Sequence, residues 1–137
     1  DIRKSLDTLA TIKAMELMNE QDFADLKALL EKGDALNQAD QVDDVLQNFS
    51  DFNDFIYEKS QMKRLREIVG KLRDYLLYFR DISIRSSDRR SLALDEHWII
   101  YRGMLNKDIH QITLITHEHL DHSLNFILTE MEKRKIG

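Results

Sequence analysis

No proline interrupts the 137 residues of the chain, and only four glycines occur in it. Proline removes a backbone donor and fixes φ, so its absence allows long helices to continue unbroken. Apolar residues recur three or four positions apart along almost the whole chain, which is the spacing of one helix face. No segment alternates between apolar and polar residues as a half-buried strand does. The sequence therefore predicts an all-α protein.

Six amphipathic helices joined by short connections are predicted, and they indicate an antiparallel helical bundle. Their expected bounds are 2–18, 23–32, 42–59, 60–81, 92–105 and 109–134. Gly33 is expected to end the second helix, and Ser60 to cap the fourth. Asp108 and Gln111 resemble a capping pair ahead of the last helix. The polar segment SIRSSDRRS, residues 83–91, is predicted to be a loop.

Composition narrows the classes of function. The length suits one domain, residues 1–137. The net charge is −5 and the basic residues are scattered, whereas DNA-binding domains concentrate positive charge in a patch. Cysteine is absent, which excludes disulfides and thiolate metal sites and fits a reducing, cytoplasmic location. No apolar run approaches the ~18–20 residues of a membrane span, so no membrane association is expected. Because the first residue is Asp1, a preceding segment is expected.

Three polar residues fall inside apolar helix faces when each helix is drawn as a wheel. His97 lies at the centre of a face that includes Tyr101, and His119 lies between isoleucines of the last helix, within the stretch HEHLDH. Asn53 lies among the apolar residues of the third helix, whereas His122 falls at the edge of its stripe. A buried imidazole or amide without a partner costs on the order of 1–3 kcal/mol. Each residue is therefore either satisfied by a neighbour or water in the core, or shares a polar cavity.

Two arginines border the apolar stripe of the helix predicted over 60–81. Border arginines such as Arg73 and Arg80 usually extend to solvent. The alternative is that one of them reaches into the cavity and holds a carboxylate, which suits its planar guanidinium.

A metal site is disfavoured by the residues alone. No inward carboxylate is predicted beside the histidines, although zinc or nickel sites in helical bundles normally combine the two. The Glu-x-x-His pair of di-iron bundles does not occur. Phosphate-binding loops, nucleotide fingerprints and a Ser–His–Asp signature do not occur either.

The order and spacing of several motifs resemble the FCD ligand-binding domain of GntR-family transcription regulators, of the FadR subfamily. The family has Glu-His, an apolar helix, a turn ending in Asp and a helix with His-Leu. These stand here as Glu96-His97, Asp108 and His119-Leu120. Upstream, DFNDFIYEKSQMKRL (51–65) and RKSLD (3–7) resemble two further family segments, so the likeness covers nearly the whole chain.

The resemblance implies a bundle of six to seven helices and, in many members, a divalent metal held by one Asp and three His. His97 and His119 match two of those histidines. Asn53 stands in place of the third and Phe49 in place of the aspartate, so no metal is expected; if one were bound, His97, His119 and Asn53 would hold it. The resemblance also implies a homodimer, and a winged-helix domain ahead of this one through which alone DNA is bound.

The leading hypothesis is an effector-sensing domain without catalysis. A small molecule, expected to bear a carboxylate, would bind in a central polar cavity and modulate DNA binding. The expected effector-binding residues are Asn53, Arg73, Arg80, His97, Tyr101 and His119. One alternative is a metal-dependent helical-bundle enzyme that uses His97 and His119. Another is a structural interaction module whose buried polar residues are merely satisfied.

Overall fold

The structure is a computed structural model that describes residues 2–64, 66–68, 71 and 87–136. Five helices have defined bounds, and the described residues contain no strand, which confirms the all-α prediction. The helices are α1 (Ile2–Leu17), α2 (Glu20–Gln38), α3 (Val42–Lys59), α4 (Ser87–Leu105) and α5 (Ile109–Ile136). Most of the helix predicted over 60–81 lies outside the described residues.

The central element is α4, against which α1, α2 and α5 all pack. α1 also packs against α3 and α5, and α2 packs against α3. The pairs α2–α3 and α4–α5 lie side by side across connections of residues 39–41 and 106–108 only. Such short connections force neighbouring helices to run antiparallel, as predicted. In the part of the chain that is described, no helix has the length and apolarity needed to cross a membrane.

α2 is longer than predicted in both directions. It begins after Asn19, whose side chain accepts from the Asp22 amide while the Asp22 carboxylate accepts from the Asn19 amide. The prediction that Gly33 ends the helix was wrong, because Gly33 is buried within α2. A Cβ at this position would overlap the side-chain oxygen of Asn48 and lie 3.0 Å from Leu94 Cδ2. The glycine therefore permits close packing with α3 and α4, a need that local sequence does not reveal.

The prediction of a loop over 83–91 was wrong for residues 87–91, since the helix α4 begins at Ser87, and residues 83–86 lie outside the described residues. Arg89 and Arg90 are both buried on α4. The Nε of Arg90 donates to Asn37 Oδ1 at 2.9 Å, and its Nη2 donates to Asp40. These partners belong to the end of α2 and the connection that follows. Arg90 therefore binds a neighbouring element from a buried position on α4.

The predicted caps have different outcomes. Ser60 ends α3 instead of starting the next helix, and its hydroxyl donates to the Tyr57 carbonyl at 2.6 Å. Asp108 does cap α5, because its carboxylate accepts from the Gln111 amide at 3.0 Å. The Gln111 side chain does not complete the pair; it donates to the Ile99 carbonyl of α4.

Candidate functional site

A small pocket lies between α1, α3, α4 and α5. Its described polar lining comes from all four helices: Asp7, Thr11, Asn53, Tyr57, His97, Thr116 and His119. The cavity measures about 20 Å³, which is room for roughly one water molecule. Asn53, His97 and His119, which the sequence places inward on three separate helices, thus surround one cavity.

His97 is enclosed by aromatic rings. Its side chain is 1% exposed, and the Phe52 ring stacks on the imidazole with 4.1 Å between centroids and 10° between planes. Phe49 meets the imidazole edge-on at 5.0 Å. The His119 ring lies 4.8 Å away on the pocket side. Packing against these rings fixes the orientation of His97.

A buried carboxylate links α4 to α5 behind His119. Glu96 is 3% exposed, and its two oxygens each face one imidazole. Oε1 lies 3.0 Å from His119 Nδ1, and Oε2 lies 2.8 Å from His122 Nδ1. The Arg89 guanidinium approaches Oε1 to 3.7 Å and donates to Ser123 Oγ at 2.6 Å. One carboxylate therefore contacts three side chains from two helices, and Arg89 extends the network to Ser123.

The surroundings of Glu96 decide its protonation. Burial raises the pKa of Glu96, but the hydrogen bonds and charges of His119 and His122 outweigh burial, and the pKa falls below its ordinary value. Burial lowers the pKa of Arg89, and the charge of Glu96 opposes that change. Because an ionised carboxylate only accepts hydrogen bonds, the Nδ1 atoms of His119 and His122 are the donors.

A family model for the FCD domain matches residues 1–122, a span that includes every described residue of the pocket lining. The chain belongs to the FCD domain family. FCD domains are the C-terminal, regulatory ligand-binding domains of GntR-family regulators, so the predicted resemblance to the FCD domain is confirmed. No curated protein matches the chain.

The expectation that this FCD domain has no inward carboxylate near the histidines was wrong, because both Glu96 and Asp7 are there. Asp7 lines the pocket from α1. Its carboxylate accepts from the Tyr57 hydroxyl and from Arg3, whose Nη2 lies 3.2 Å away. Asp7 lies three, four and seven residues before the buried Ala10, Thr11 and Ala14, so it shares their face of α1.

The donors present do not fit the metal site found in many FCD domains. The described residues contain no group of three or more His, Cys, Asp or Glu side chains placed to hold a metal ion. Phe49 puts a phenyl ring beside His97, where the family pattern has the aspartate. Asp7 and Glu96 are engaged with Tyr57, Arg3 and the α5 histidines.

Thr116 supplies a polar atom that sequence reasoning missed. Its side chain is 3% exposed and lines the pocket from α5. Its hydroxyl has no hydrogen-bond partner among the described residues. Thr113, one turn earlier, instead donates to the Ile109 carbonyl at 2.9 Å. The hydroxyl of Thr116 can therefore both donate to and accept from a molecule in the pocket.

One further predicted site residue, Tyr101, packs away from the described lining. Tyr101 is not among the described residues of the lining; its ring packs edge-on against Phe23 and Trp98. Arg73 and Arg80 lie outside the described residues.

Sequence spacing held a signal for the network around Glu96. Arg89 and Glu96 are seven residues apart, which places them on one face of α4 two turns apart. His119 and Ser123 are four apart and also share a face of α5. A search for oppositely charged residues at helical spacing on one helix, and for histidines on the helix that packs against it, would have found these four residues.

A larger groove of about 240 Å³ lies on the outside, between α2 and α3. Its lining includes Lys32, Asp44 and Asp51. The Gln47 side chain in the groove already donates to Asp51, at 2.9 Å. Its charged groups face solvent, so this groove has a weaker claim to bind a small molecule than the pocket shared by four helices.

Proposed function

We propose that this chain is the effector-sensing domain of a bacterial, cytoplasmic GntR-family regulator of the FadR subfamily. A small molecule binds in the pocket between α1, α3, α4 and α5. Binding alters how a winged-helix domain, on the N-terminal side of this one, contacts DNA. The membership of the FCD family supports the regulatory class, and the pocket supports the location of the effector.

The observation that carries this proposal is the meeting of four helices at one polar pocket. Asp7, Asn53, His97 and Thr116 stand on four different helices and line the same cavity. Buried polar groups are normally hydrogen-bonded, and the Thr116 hydroxyl has no described partner. A molecule that is hydrogen-bonded to these groups contacts α1, α3, α4 and α5 at once. Its affinity therefore depends on the relative positions of the four helices.

The small size of the pocket supports a coupling between binding and helix movement. Pockets for small molecules typically measure about 300–1,000 Å³, whereas this cavity is about 20 Å³. An effector larger than water therefore needs the side chains or helices that line the pocket to move apart. It binds the separated arrangement more tightly than the closed one, and such a difference in affinity is what shifts an equilibrium between two states.

The chemistry of the effector depends on which charges reach the pocket. The prediction that the effector carries a carboxylate depends on Arg73 and Arg80. Both arginines lie outside the described residues. Among the described lining residues, Asp7 is the one carboxylate, and no arginine or lysine accompanies it. A carboxylate on the effector would therefore have to bind away from Asp7.

We also propose that the domain forms a homodimer, with the outer face of α5 as a candidate interface. Leu114, Leu124 and Leu128 are each about half exposed on this helix, and burial of such side chains stabilises association. Sedimentation velocity of the wild type should give a dimer that Leu124→Glu dissociates. Leu105→Glu, at a comparably exposed leucine of α4, should not dissociate it.

The sensing function can be tested by thermal-shift screening with compounds that carry hydroxyl, amine, amide or carboxylate groups. At least one compound should raise the melting temperature. Thr116→Val keeps the side-chain shape and removes the hydroxyl. It should weaken the affinity for that compound by about tenfold, which corresponds to a loss of about 1.4 kcal/mol of binding free energy. Thr113→Val is the matched control, because the Thr113 hydroxyl donates to a carbonyl of its own helix.

Two results would contradict the sensing function at this pocket. One is that no compound class shifts the melting temperature of the wild type. The other is that Thr116→Val and Thr113→Val bind the hit equally well, which would place the binding site elsewhere.

A further inference from the structure

The two halves of α1 are attached to the bundle in different ways. Every buried residue of this helix belongs to its second half: Ala10, Thr11, Ala14 and Met15. None of residues 2–9 is buried, and the apolar Leu6 is only partly covered where it packs against the core. Because segments with few buried apolar contacts open locally at a low free-energy cost, the first half of α1, residues 2–9, depends on polar contacts for its position.

Two polar contacts among the described residues join the first half of α1 to other helices. Lys4 Nζ lies 2.6 Å from Asp121 Oδ1 of α5, and the Asp121 side chain is 49% exposed. The Tyr57 hydroxyl of α3 donates to Asp7, whose side chain is only 12% exposed. Exposed ion pairs contribute little to stability, whereas hydrogen bonds to a charged group contribute more. The Tyr57–Asp7 contact is therefore the stronger of the two.

The stronger contact lies in the wall of the pocket. Asp7 and Tyr57 both line the cavity. Lys4 and Asp121 are not among the described lining residues. A guest that donates to Asp7, or accepts from Tyr57, competes with the bond between them. This competition arises with a neutral or a charged guest, because it needs only one hydrogen-bonding group.

We propose that the Tyr57–Asp7 contact is the point at which pocket occupancy acts on α1. An effector hydrogen-bonded to either group displaces the other, and the first half of α1 is then released from α3. This half is the part of the domain that is nearest in sequence to the winged-helix domain, so its release alters how that domain is held. The inference rests on the proposed function, because it describes how the same pocket is coupled to DNA binding.

The attachment can be measured without any ligand, by amide hydrogen exchange followed by NMR. The amides of residues 6–9 bond to carbonyls one turn earlier, and they exchange when the first half of α1 opens. Tyr57→Phe keeps the ring and removes the donor. It should speed exchange at residues 6–9 by about tenfold relative to Ala14 and Met15, as expected for one lost hydrogen bond to a carboxylate. Tyr101→Phe, at a tyrosine of α4 outside the described lining, is the control and should leave the relative rates unchanged.

The effect of a guest can be measured on the wild type with acetamide, which has both N–H donors and a carbonyl acceptor. Acetamide should shift the Thr116 methyl signal and speed exchange at residues 6–9, with no change at Ala14 and Met15. In Thr116→Val the same acceleration should need about tenfold more acetamide, because one hydrogen bond in the pocket is lost. Thr113→Val is the matched control and should respond like the wild type, because the Thr113 hydroxyl donates within its own helix.

Linkage supplies a test outside the pocket. Because the effector binds the released arrangement more tightly, any change that eases the release must raise its affinity. Lys4→Gln removes the ion pair with Asp121 without changing the described lining. The dissociation constant for acetamide should fall by about twofold to fivefold, the range for an exposed ion pair. Lys13→Gln, which removes an exposed pair with Glu16 in the second half of α1, should leave it unchanged. Equal affinities of the two variants would contradict the linkage.

Three further results would overturn the inference. One is unchanged relative exchange in Tyr57→Phe. Another is acetamide that shifts the Thr116 signal of the wild type without affecting exchange at residues 6–9; the sensing function then stands and the coupling through α1 fails. The third is a Thr116 signal that acetamide does not move, which contradicts both sensing at this pocket and its coupling. The last two results use the wild type alone, so they do not depend on any variant folding, and they distinguish the two failures.

Discussion

His97 and His119 lie 4.8 Å apart between ring centroids, yet their surroundings differ in kind. His97 belongs to an aromatic side, which we define as His97 with Phe49 and Phe52. His119 belongs to a charged side, comprising Arg89, Glu96, His119, His122 and Ser123. The aromatic side joins α3 to α4, and the charged side joins α4 to α5.

The difference shows two ways of holding an imidazole inside a helical bundle. On the aromatic side the ring is held by shape, so the free energy of unfolding depends on side-chain volume. On the charged side the ring is held by a donor–acceptor match with Glu96, so stability and protonation depend on each other. A change of volume should therefore affect the first side most, and a change of pH or charge the second.

The largest effect is expected on the aromatic side. Phe52 is 1% exposed and stacks on His97. Phe52→Ala should lower the free energy of unfolding by about 3–5 kcal/mol, because it removes buried surface and leaves a cavity. Urea denaturation measures this loss. Leu105→Ala, at a half-exposed leucine, is the control and should cost less than about 1 kcal/mol. Equal losses would mean that the aromatic side is not a packed unit.

A smaller loss is expected from neutralising the charged side. Glu96→Gln preserves the size of the side chain but removes the charge that faces Arg89 and the two imidazoles. The free energy of unfolding at neutral pH should fall by about 1–3 kcal/mol, the cost of a mispaired buried polar group. Glu118→Gln, at an exposed position of α5, should change it by no more than about 0.5 kcal/mol. A neutral result for Glu96→Gln would mean that the carboxylate is not needed for stability.

The pH dependence should separate the two sides. The pKa of Glu96 is lower in the folded protein than its ordinary value of 4.5. On acidification the unfolded chain therefore takes up this proton first. The stabilisation from Glu96 is complete above that ordinary value and is lost as the pH falls through the lowered, folded value. As the pH falls below 4.5, the wild type should lose more stability than Glu96→Gln, and parallel curves would contradict this.

The smallest effect is expected at the solvent edge of the charged side. The His122 side chain is 45% exposed even though it contacts Glu96. His122→Ala should cost about 0–1 kcal/mol, because water replaces the imidazole at little expense. His119→Ala, at a side chain only 16% exposed, should cost more. If the two substitutions cost the same, burial does not govern the strength of the charged side.

Helical wheels predicted some of the inward polar residues and missed others. Helical wheels placed His97, His119 and Asn53 towards the interior, and all three line the pocket. The wheel failed at Asp7 and Glu96, because it treats carboxylates as surface groups unless a partner is known. Those partners, Tyr57 for Asp7 and the α5 histidines for Glu96, stand on other helices. The prediction that Gly33 ends α2 failed for the same reason, since the neighbour of Gly33, Asn48, belongs to α3.

The sequence by itself determined the all-α class, most of α1, α3 and α5, and the membership of the FCD family, because helical periodicity and motif spacing are properties of neighbouring residues. Only the tertiary structure decided that Glu96 is shared between His119 and His122, that Arg89 lies inside the fold, and that the cavity is small. Each of these depends on distances between helices, and the approach of one helix to another is set by the combined packing of side chains that are far apart in the chain.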